Sequence, residues 1–468
     1  MQLQSFRSID AWLLVATGLY WCSVAGDGSA FRFLLCGAVG AVGGAMGIAA
    51  LLLAGDRRIP AYAALAFALG TVLGVLAIIP LGFGSGLLLT GSALVGFTCA
   101  GRLSLAWEPA VDGIPEAQES VGLAAKVGLD EMLLGTFHLR TSLPAGDGLE
   151  RVVAETLDLR ARHEAHGFLE NPLAYHRSPL PLDAPHVESA SLFGFRYEHL
   201  RFDSEWEPAI DEPGRERWLE YNANRTAHAY VVRGDPEQPW LIAINGYRMG
   251  MALTDLGVFD PRFYHRRLGL NLLIPVLPLH GPRKIGLASG DGFLDADPVG
   301  FCFAEAQAMW DIRRLVGWAR VQGGSPIGVM GLSLGGYNAA LLAAIEPDLA
   351  CVIAGIPLCD YSRIFARHLD ARRLVDYASA GLDTETVRQT LRPVCPLEFP
   401  CRVDPDARAI FAGVADRVVS GDHPRDLIAH WGSPQHVWYQ GAHITFRLDP
   451  AVQKLTADVL RTHLTPAD

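Results

Sequence analysis

Lysine is almost absent from this chain of 468 residues. Only Lys126, Lys284 and Lys454 occur, no dense run of basic residues is present, and the formal net charge is −11, so nucleic-acid binding is not favoured. The eight cysteines form no CxxC pair or His/Cys cluster, and neither a metal nor another cofactor is expected. Cys395 and Cys401 are close enough in sequence to pair, but unpaired core residues are the favoured interpretation.

Charged residues are also missing from four apolar stretches near the start of the chain. These stretches are Ala11–Gly26, Phe33–Gly55, Ala61–Pro80 and Leu81–Ala100. A helix needs roughly 20 apolar residues to cross the hydrocarbon of a bilayer, which the last three stretches supply. The first is short, and a cleaved signal peptide is its alternative interpretation. Because further apolar stretches follow at once, a four-helix membrane anchor is favoured.

Arginine placement predicts the orientation of this anchor. Arg7 precedes the first stretch, Arg57 and Arg58 separate the second from the third, and Arg102 follows the fourth. With four spans, the positive-inside rule places both termini, and everything after Gly101, on the cytoplasmic side of the cell membrane. The stretches contain no Asp, Glu, Lys, Arg or His, which argues against an ion or proton transporter.

Glycines four residues apart occur in the second and third stretches. The pairs are Gly40 with Gly44, Gly43 with Gly47, and Gly70 with Gly74. Such spacing lets helices approach closely. Packing within the bundle is the favoured interpretation, and association of two copies of the chain is the alternative.

The rest of the chain divides into a polar segment and an α/β region. Residues 105–192 are expected to be a linker with accessory helices, after an anchor at 1–104. The pair His163 and His166 in this segment lacks the HExxH spacing of a metal site. From about Phe193, short apolar runs alternate with helices, which predicts a mostly parallel eight-stranded sheet covered on both faces. The candidate strands are Arg196–Phe202, Ala227–Val232, Trp240–Asn245, Leu270–Leu277, Ile327–Gly331, Ala350–Ile356, Ala409–Ala412 and Gln435–Tyr439.

The motif with the clearest chemistry runs from Gly331 to Gly335. It reads Gly-Leu-Ser-Leu-Gly, matches G-x-S-x-G, follows an apolar strand and precedes a helix rich in alanine and leucine. A strand that turns directly into a helix forces the middle residue into a strained conformation and needs glycine on both sides. This context predicts that Ser333 is a nucleophile exposed at the edge of the sheet.

These features resemble the serine α/β-hydrolase superfamily over about Phe193 to His463. The runs Leu279–Arg283 and Ser289–Phe293, together with the serine motif, are similar to the α/β-hydrolase domain-containing protein 18 type, with an added N-terminal membrane segment. The resemblance implies an α/β-hydrolase fold in 193–468.

The superfamily carries its catalytic residues in the order Ser, acid, His. In that order Asp416 follows a late strand and His443 follows the last one. Ser333, Asp416 and His443 are therefore the expected catalytic residues. Asp422 and Asp360 are alternatives for the acid, and the alternatives for the base are His423 and His280.

One oxyanion donor is expected directly after the nucleophile, and the other donor and the substrate pocket are expected on the loops after the third and fourth predicted strands. The backbone N–H of Leu334, directly after the nucleophile, is one expected donor, and that of Tyr247 is the other. The expected pocket residues are Asn245, Gly246, His280 and Arg283. Arg283 has two interpretations: it binds an acidic group of the substrate, or it is a structural residue paired with a carboxylate such as Asp291.

The combined expectation is a membrane-anchored serine hydrolase that cleaves a carboxylic ester through an acyl-serine intermediate. A lid-like insertion is expected at about 361–400, where apolar residues either line an acyl pocket or pack on the domain. Membrane attachment favours a small-molecule or lipid-like ester as substrate. A serine peptidase or amidase of the same fold is the alternative enzyme, and a catalytically silent membrane scaffold is the alternative from another class.

Overall fold

A computed structural model describes residues 2–26, 30–141, 143–323 and 326–465. The chain forms two compact units. The first, called the helical unit, comprises 1–141, 412–422 and 438–450. The second, called the sheet unit, comprises 142–411, 423–437 and 451–468.

The helical unit contains the four apolar helices predicted from the sequence. Its helices are α1 (Gln2–Gly26), α2 (Ala30–Leu52), α3 (Arg58–Leu76), α4 (Ile78–Leu81), α5 (Phe83–Trp107) and α6 (Val121–Arg140). Among the residues that the structure describes, four segments are long and apolar enough to cross a membrane: Ile9–Gly26, Phe33–Leu52, Arg58–Leu76 and Phe83–Trp107. Many of their large apolar side chains are exposed, as expected of a surface that faces lipid.

Helices α1 and α5 extend beyond the predicted apolar stretches, and an ion pair between Asp10 and Arg102 joins them. Asp10 lies in the first candidate span and is buried, and its carboxylate is 3.3 Å from the Arg102 guanidinium near the end of α5. Helix α1 begins before Ala11 and α5 ends after Ala100, so Asp10 and Arg102 lie within helices although they lie outside the predicted apolar stretches. Pairing removes the need to bury either charge alone.

The spaced glycines lie at contacts between helices of the same bundle. A Cβ added to Gly40 would lie 2.6 Å from Cys22 Sγ on α1. One added to Gly43 would lie 2.4 Å from the Phe67 ring on α3. Helix α2 therefore approaches α1 and α3 at distances that only glycine permits. This agrees with packing within the bundle, the interpretation favoured above. Association of two copies through these helices stays a prediction.

The sheet unit is built on a mixed sheet that shows nine strands in the described part of the chain. They are β1 (His186–Leu192), β2 (Phe195–Asp203), β3 (Thr226–Val232), β4 (Trp240–Ile244), β5 (Asn271–Val276), β6 (Ile327–Leu332), β7 (Cys351–Gly355), β8 (Arg408–Gly413) and β9 (Gln435–Tyr439). Their order is β1-β2-β3-β5-β4-β6-β7-β8-β9. The first three strands and β5 pair antiparallel, and the pairs from β5 through β4, β6 and β7 to β8 are parallel.

The predicted α/β-hydrolase fold is confirmed, with one more strand than expected. The remaining helices are α7 (Asp147–Ala165), α8 (Arg215–Leu219), α9 (Ala252–Val258), α10 (Pro298–Val321), α11 (Leu334–Ile345), α12 (Tyr361–His368), α13 (Ala371–Ser379), α14 (Thr384–Thr390), α15 (Asp422–His430) and α16 (Pro450–Leu464). Strand β1 was missed because almost all of its side chains are exposed, so it carries no apolar pattern.

The compact units do not coincide with the three predicted segments. Helix α6 belongs to the helical unit and α7 to the sheet unit, so the expected linker at 105–192 is divided between them. His163 on α7 is fully buried, its Nε2 lies 3.1 Å from a Glu212 carboxylate oxygen, and its Nδ1 lies 3.1 Å from the Thr390 carbonyl oxygen. His163 therefore connects α7 to Glu212 and to Thr390 of α14, within the sheet unit.

The expected insertion at 361–400 forms α12, α13 and α14 and packs on the body of the sheet unit. The Tyr361 ring stacks on Phe301 of α10 at 4.1 Å between centroids. Phe365 and Tyr377 are buried, and the Tyr377 hydroxyl donates to the Pro144 carbonyl at 2.6 Å. Of the two interpretations above, packing on the domain describes this segment.

Helix packing in the bundle gives a test of the role of glycine. A Cβ at Gly74 would lie 2.6 Å from the Thr90 backbone nitrogen, whereas one at Gly91 would meet nothing within 4 Å. We expect Gly74→Ala to destabilise the detergent-solubilised protein by about 1–3 kcal/mol, as overpacking does. Gly91→Ala is the control and should leave thermal unfolding unchanged or slightly raise its midpoint, since alanine favours helix. Equal midpoints for the two variants would contradict the close α3–α5 contact.

Candidate active site

Ser333 lies between β6 and α11 in a strained backbone conformation. Its φ is +59° and its ψ is −115°, a region that costs a residue other than glycine about 1–3 kcal/mol. A Cβ on Gly331 would lie 1.8 Å from the Gly335 carbonyl oxygen, and one on Gly335 would lie 2.0 Å from the Ile244 carbonyl oxygen. The predicted strand–turn–helix motif is therefore present, and both flanking glycines are required by backbone atoms.

Backbone hydrogen bonds hold Ser333 in this conformation. Its N–H donates to the Gly355 carbonyl at the end of β7, at 2.9 Å. Its carbonyl accepts from the N–H groups of Tyr337 at 3.1 Å and Leu358 at 3.3 Å. The strain is thus offset by pairing with α11 and with the residues that follow β7.

The loop after β4 passes beside Ser333. A methyl group on Gly246 would lie 3.3 Å from Cβ and 3.9 Å from Oγ of Ser333. The carboxylate of Asp255 holds this loop by accepting from the Gly250 N–H at 2.8 Å. Burial raises the pKa of Asp255 to about 6. The expected pocket residues Asn245 and Gly246 therefore adjoin the predicted nucleophile, and Asn245 is buried.

The two expected oxyanion donors lie on elements next to Ser333. Leu334 is the first residue of α11, where backbone N–H groups have no acceptor within the helix. Tyr247 directly follows Gly246, and its ring packs edge-on against His280 at 5.8 Å between centroids. Their role as donors stays a prediction.

His280 is buried beneath the Tyr247 loop. Its Nδ1 lies 2.8 Å from the Pro278 carbonyl oxygen and therefore carries the proton of the neutral ring. Burial lowers the pKa of His280 to about 4, so the ring is neutral at pH 7. Its edge-on contact with the Tyr247 ring is that of a residue that supports Tyr247 by packing.

Arg283 corrects one expectation about the substrate pocket. Its side chain is fully buried, and its guanidinium lies 2.9 Å from the Asp311 carboxylate and donates to the carbonyls of Val276 and Asn224. Asp291, the partner suggested above, instead binds Arg248. Arg283 therefore fits the structural interpretation, because both terminal nitrogens of its guanidinium contact acceptors inside the protein.

Asp416 and His443 are paired within the helical unit. The loop after β8 carries Asp416, and His443 begins a short 3-10 helix after β9. One carboxylate oxygen of Asp416 lies 2.6 Å from His443 Nδ1, and the other accepts from the N–H groups of Val418 and Val419. With the Nδ1 proton directed to Asp416, the Nε2 of a neutral His443 is an acceptor, as a general base requires.

The protonation of His443 reflects two opposing influences. Burial lowers the pKa of His443, but the charge and hydrogen bond of Asp416, with a further contribution from Asp130, outweigh it. The net result is a raised pKa. The neighbouring carboxylates thus favour the imidazolium, which is the form that Asp416 would stabilise during acyl transfer.

The alternative acid and base have other contacts. Asp360 is the N-cap of α12, where its side chain accepts from the N–H of Ser362 at 2.8 Å. The ring of His423 is fully buried, and its Nδ1 accepts from the Cys359 N–H at 3.2 Å. Asp422 is the first residue of α15. Asp416 and His443 contact each other, and their assignment as acid and base for Ser333 stays a prediction.

One residue beside the acid–base pair was not found from the sequence. Asp130 of α6 accepts from the backbone N–H of His443 at 2.7 Å and of Arg417 at 3.0 Å. Arg417 is 287 residues and His443 is 313 residues away from Asp130 in the chain. In the sequence, an aspartate in an accessory helix looks like an ordinary polar residue. No sequence signal identifies it.

Comparison with known proteins identifies relatives of unestablished function. No family model matches the chain. The uncharacterized proteins MT2702 and Rv2627c of Mycobacterium tuberculosis are 37% identical over 340 residues, which cover 72% of this chain and 81% of each relative. The chain belongs to their family. The narrower resemblance to the α/β-hydrolase domain-containing protein 18 type stays a prediction.

Solved esterase structures are more distant. Acetyl xylan esterase 1 from Thermoanaerobacterium sp. JW/SL YS485 is 17% identical, with a TM-score of 0.43 over 63% of this chain and 93% of the esterase. The acetyl xylan esterase from Paenibacillus sp. R4 is 16% identical, with a TM-score of 0.44 over 62% and 93% of the two chains. Similarity at this level does not transfer a substrate.

The placement of Arg283 predicts a loss of stability when it is replaced. Arg283→Met leaves the Asp311 carboxylate buried without its partner, which typically costs about 3–5 kcal/mol. We expect a large drop in the unfolding midpoint in urea. Arg262→Met, at an arginine whose side chain is 70% exposed, is the control and should change little. A stable Arg283→Met protein whose KM alone is raised would instead assign Arg283 to the substrate pocket.

Proposed function

We propose that this protein is a membrane-anchored serine hydrolase that cleaves a carboxylic ester through an acyl-Ser333 intermediate. The observation that carries the proposal is the strained Ser333 backbone, with φ +59°, at a junction where both neighbouring glycines are required. Strain of this kind persists only where the surrounding structure enforces it, and it is typical of functional positions. The same conformation would direct the hydroxyl away from the backbone.

The first half of the proposed reaction is acylation. His443 Nε2 takes the hydroxyl proton of Ser333 while Oγ forms a bond to the ester carbonyl carbon. The negative charge that develops on the carbonyl oxygen is stabilised by the N–H groups of Leu334 and Tyr247. When the tetrahedral intermediate collapses, the bond to the alcohol oxygen breaks, and His443 returns the proton to that oxygen.

The second half is deacylation by water. His443 removes a proton from water as the water oxygen attacks the acyl carbon, and the proton then passes to Ser333 Oγ as the acid leaves. Asp416 stabilises the imidazolium in both halves, which its 2.6 Å contact with Nδ1 supports. No cofactor or metal takes part in this scheme.

The candidate spans support a lipid-like ester as substrate. An anchored enzyme meets lipids at high local concentration, and four helices in the described part of the chain are long and apolar enough to anchor it in a membrane. The arginine pattern supports a location of the hydrolase domain on the cytoplasmic side of the cell membrane. Amide and peptide bonds are the competing substrates, because the same three residues serve them.

Covalent labelling tests whether Ser333 is the nucleophile. A fluorophosphonate probe should label the folded full-length protein, and Ser333→Ala or His443→Ala should abolish labelling because the attacking oxygen or its base is lost. Ser433 has a similar backbone angle, φ +61°, outside the motif, so Ser433→Ala is the matched control and should label normally. Labelling of Ser333→Ala at the wild-type level would favour the silent scaffold.

A series of p-nitrophenyl esters tests the substrate class. We expect kcat/KM to rise from acetate towards long acyl chains, because each buried methylene adds about 0.8 kcal/mol of transfer free energy. The corresponding p-nitroanilides should react far more slowly. Activity confined to the shortest esters would contradict the lipid-like substrate, and faster cleavage of the anilides would favour the amidase.

A further inference from the structure

Helix α6 is joined to the loops that carry Asp416 and His443 by contacts within the helical unit. Leu123 and Val127 of α6 form one apolar cluster with Val414, Ala415 and Ala442. The Lys126 ammonium donates to the Gln440 carbonyl at 2.9 Å. These contacts surround a buried polar centre, which is the side chain of Asp130.

The Asp130 carboxylate accepts hydrogen bonds from both loops at once. One oxygen accepts from the N–H groups of His443 at 2.7 Å and Arg417 at 3.0 Å, and the other lies 3.4 Å from the Ile444 nitrogen. The side chain is fully buried. Arg417 directly follows Asp416, so the two short bonds fix the backbone at both members of the acid–base pair.

A second link connects the same loop to the candidate spans. Glu108, directly after α5, lies 3.5 Å from the Arg417 guanidinium and 3.2 Å from that of Arg57 between α2 and α3. The loop of the predicted acid is therefore tied to both α5 and α6. An anchor that served only to tether the chain would not need to contact these loops.

We propose that Asp130 is a positioning residue that sets the geometry and charge of the Asp416–His443 pair, so that the helical unit is part of the catalytic machinery as well as the anchor. This inference rests on the proposed function. It assigns Asp130 two separable effects: its acceptor oxygen orients the two loops, and its charge acts on the His443 ring.

The charge effect has a defined sign. Asp130 contributes to the raised pKa of His443, although burial opposes it. Burial, together with repulsion from Asp416, raises the pKa of Asp130 itself to about 7. We therefore expect the acidic limb of the activity profile to report Asp130, Asp416 and His443 together. In the described part of the helical unit, Asp416, Arg417 and Tyr439 interact with Asp130, while Glu108 contacts Arg417, Asp449 acts on Tyr439 and Lys126 binds the Gln440 carbonyl.

Two substitutions separate the effects. Asp130→Asn keeps one carbonyl oxygen for the two short bonds and removes the charge, so the pKa of His443 should fall. The acidic limb of kcat/KM, and of the rate of fluorophosphonate labelling, should then move to lower pH. Asp130→Ala removes the acceptor as well, and kcat/KM should fall about 100-fold, the loss that a misplacement of ~1 Å produces.

The matched control is the next residue of the same helix. The Glu131 carboxylate is also buried but accepts from Ser104 of α5, so Glu131→Gln removes a buried charge that faces another direction. It should keep the wild-type pH profile. Thermal unfolding of every full-length variant, measured in detergent, reports the folded fraction.

The outcomes distinguish this inference from the proposed function. A folded Asp130→Asn protein with the wild-type acidic limb would overturn the role of Asp130, while loss of labelling in Ser333→Ala would still support the hydrolase. If Ser333→Ala keeps its labelling, the proposed function itself fails. Should Asp130→Ala not fold, the near-isosteric Asp130→Asn profile decides the question.

Discussion

The backbone of Ser333 is the constraint on which the proposed chemistry depends. A residue with a side chain is held at φ +59° because β6 turns into α11 without an intervening loop. The turn is so tight that the Gly335 carbonyl and the end of β4 occupy the space of any Cβ on Gly331 or Gly335. The rest of the sheet unit, including the parallel core from β5 to β8, supplies the hydrogen bonds that keep this conformation populated.

Three buried carboxylates contact loops that lie close to predicted site residues. Asp255 accepts from Gly250 in the loop beside Ser333, Asp311 neutralises Arg283 below the loop after β5, and Asp130 accepts from the loops of Asp416 and His443. Backbone N–H groups of irregular loops need acceptors when water is excluded. A charged acceptor makes these bonds stronger than a neutral one would.

The N-terminal helices of the helical unit do more than form candidate membrane spans. Its glycines are used in contacts within the bundle, and its last helix, α6, contacts the segments 412–422 and 438–450. The loops of the predicted acid and base therefore belong to the same compact unit as the candidate spans. Replacement of this segment with an unrelated anchor would remove the acceptor of three backbone N–H groups.

Elements with a local signal could be predicted from the amino-acid sequence. Four uncharged apolar stretches indicate four long helices, the run Gly331–Gly335 indicates a strand–turn–helix at a serine, and eight of the nine strands follow from apolar runs. Features that depend on residues far apart in the chain could not be predicted and are seen only in the folded protein. The buried Arg283 pairs with Asp311, the polar strand β1 lies at the edge of the sheet, and Asp130 contacts His443, which is 313 residues away in the chain. The reason is physical: periodicity and turn chemistry act between neighbours in sequence, whereas the partner of a buried charge is chosen by packing.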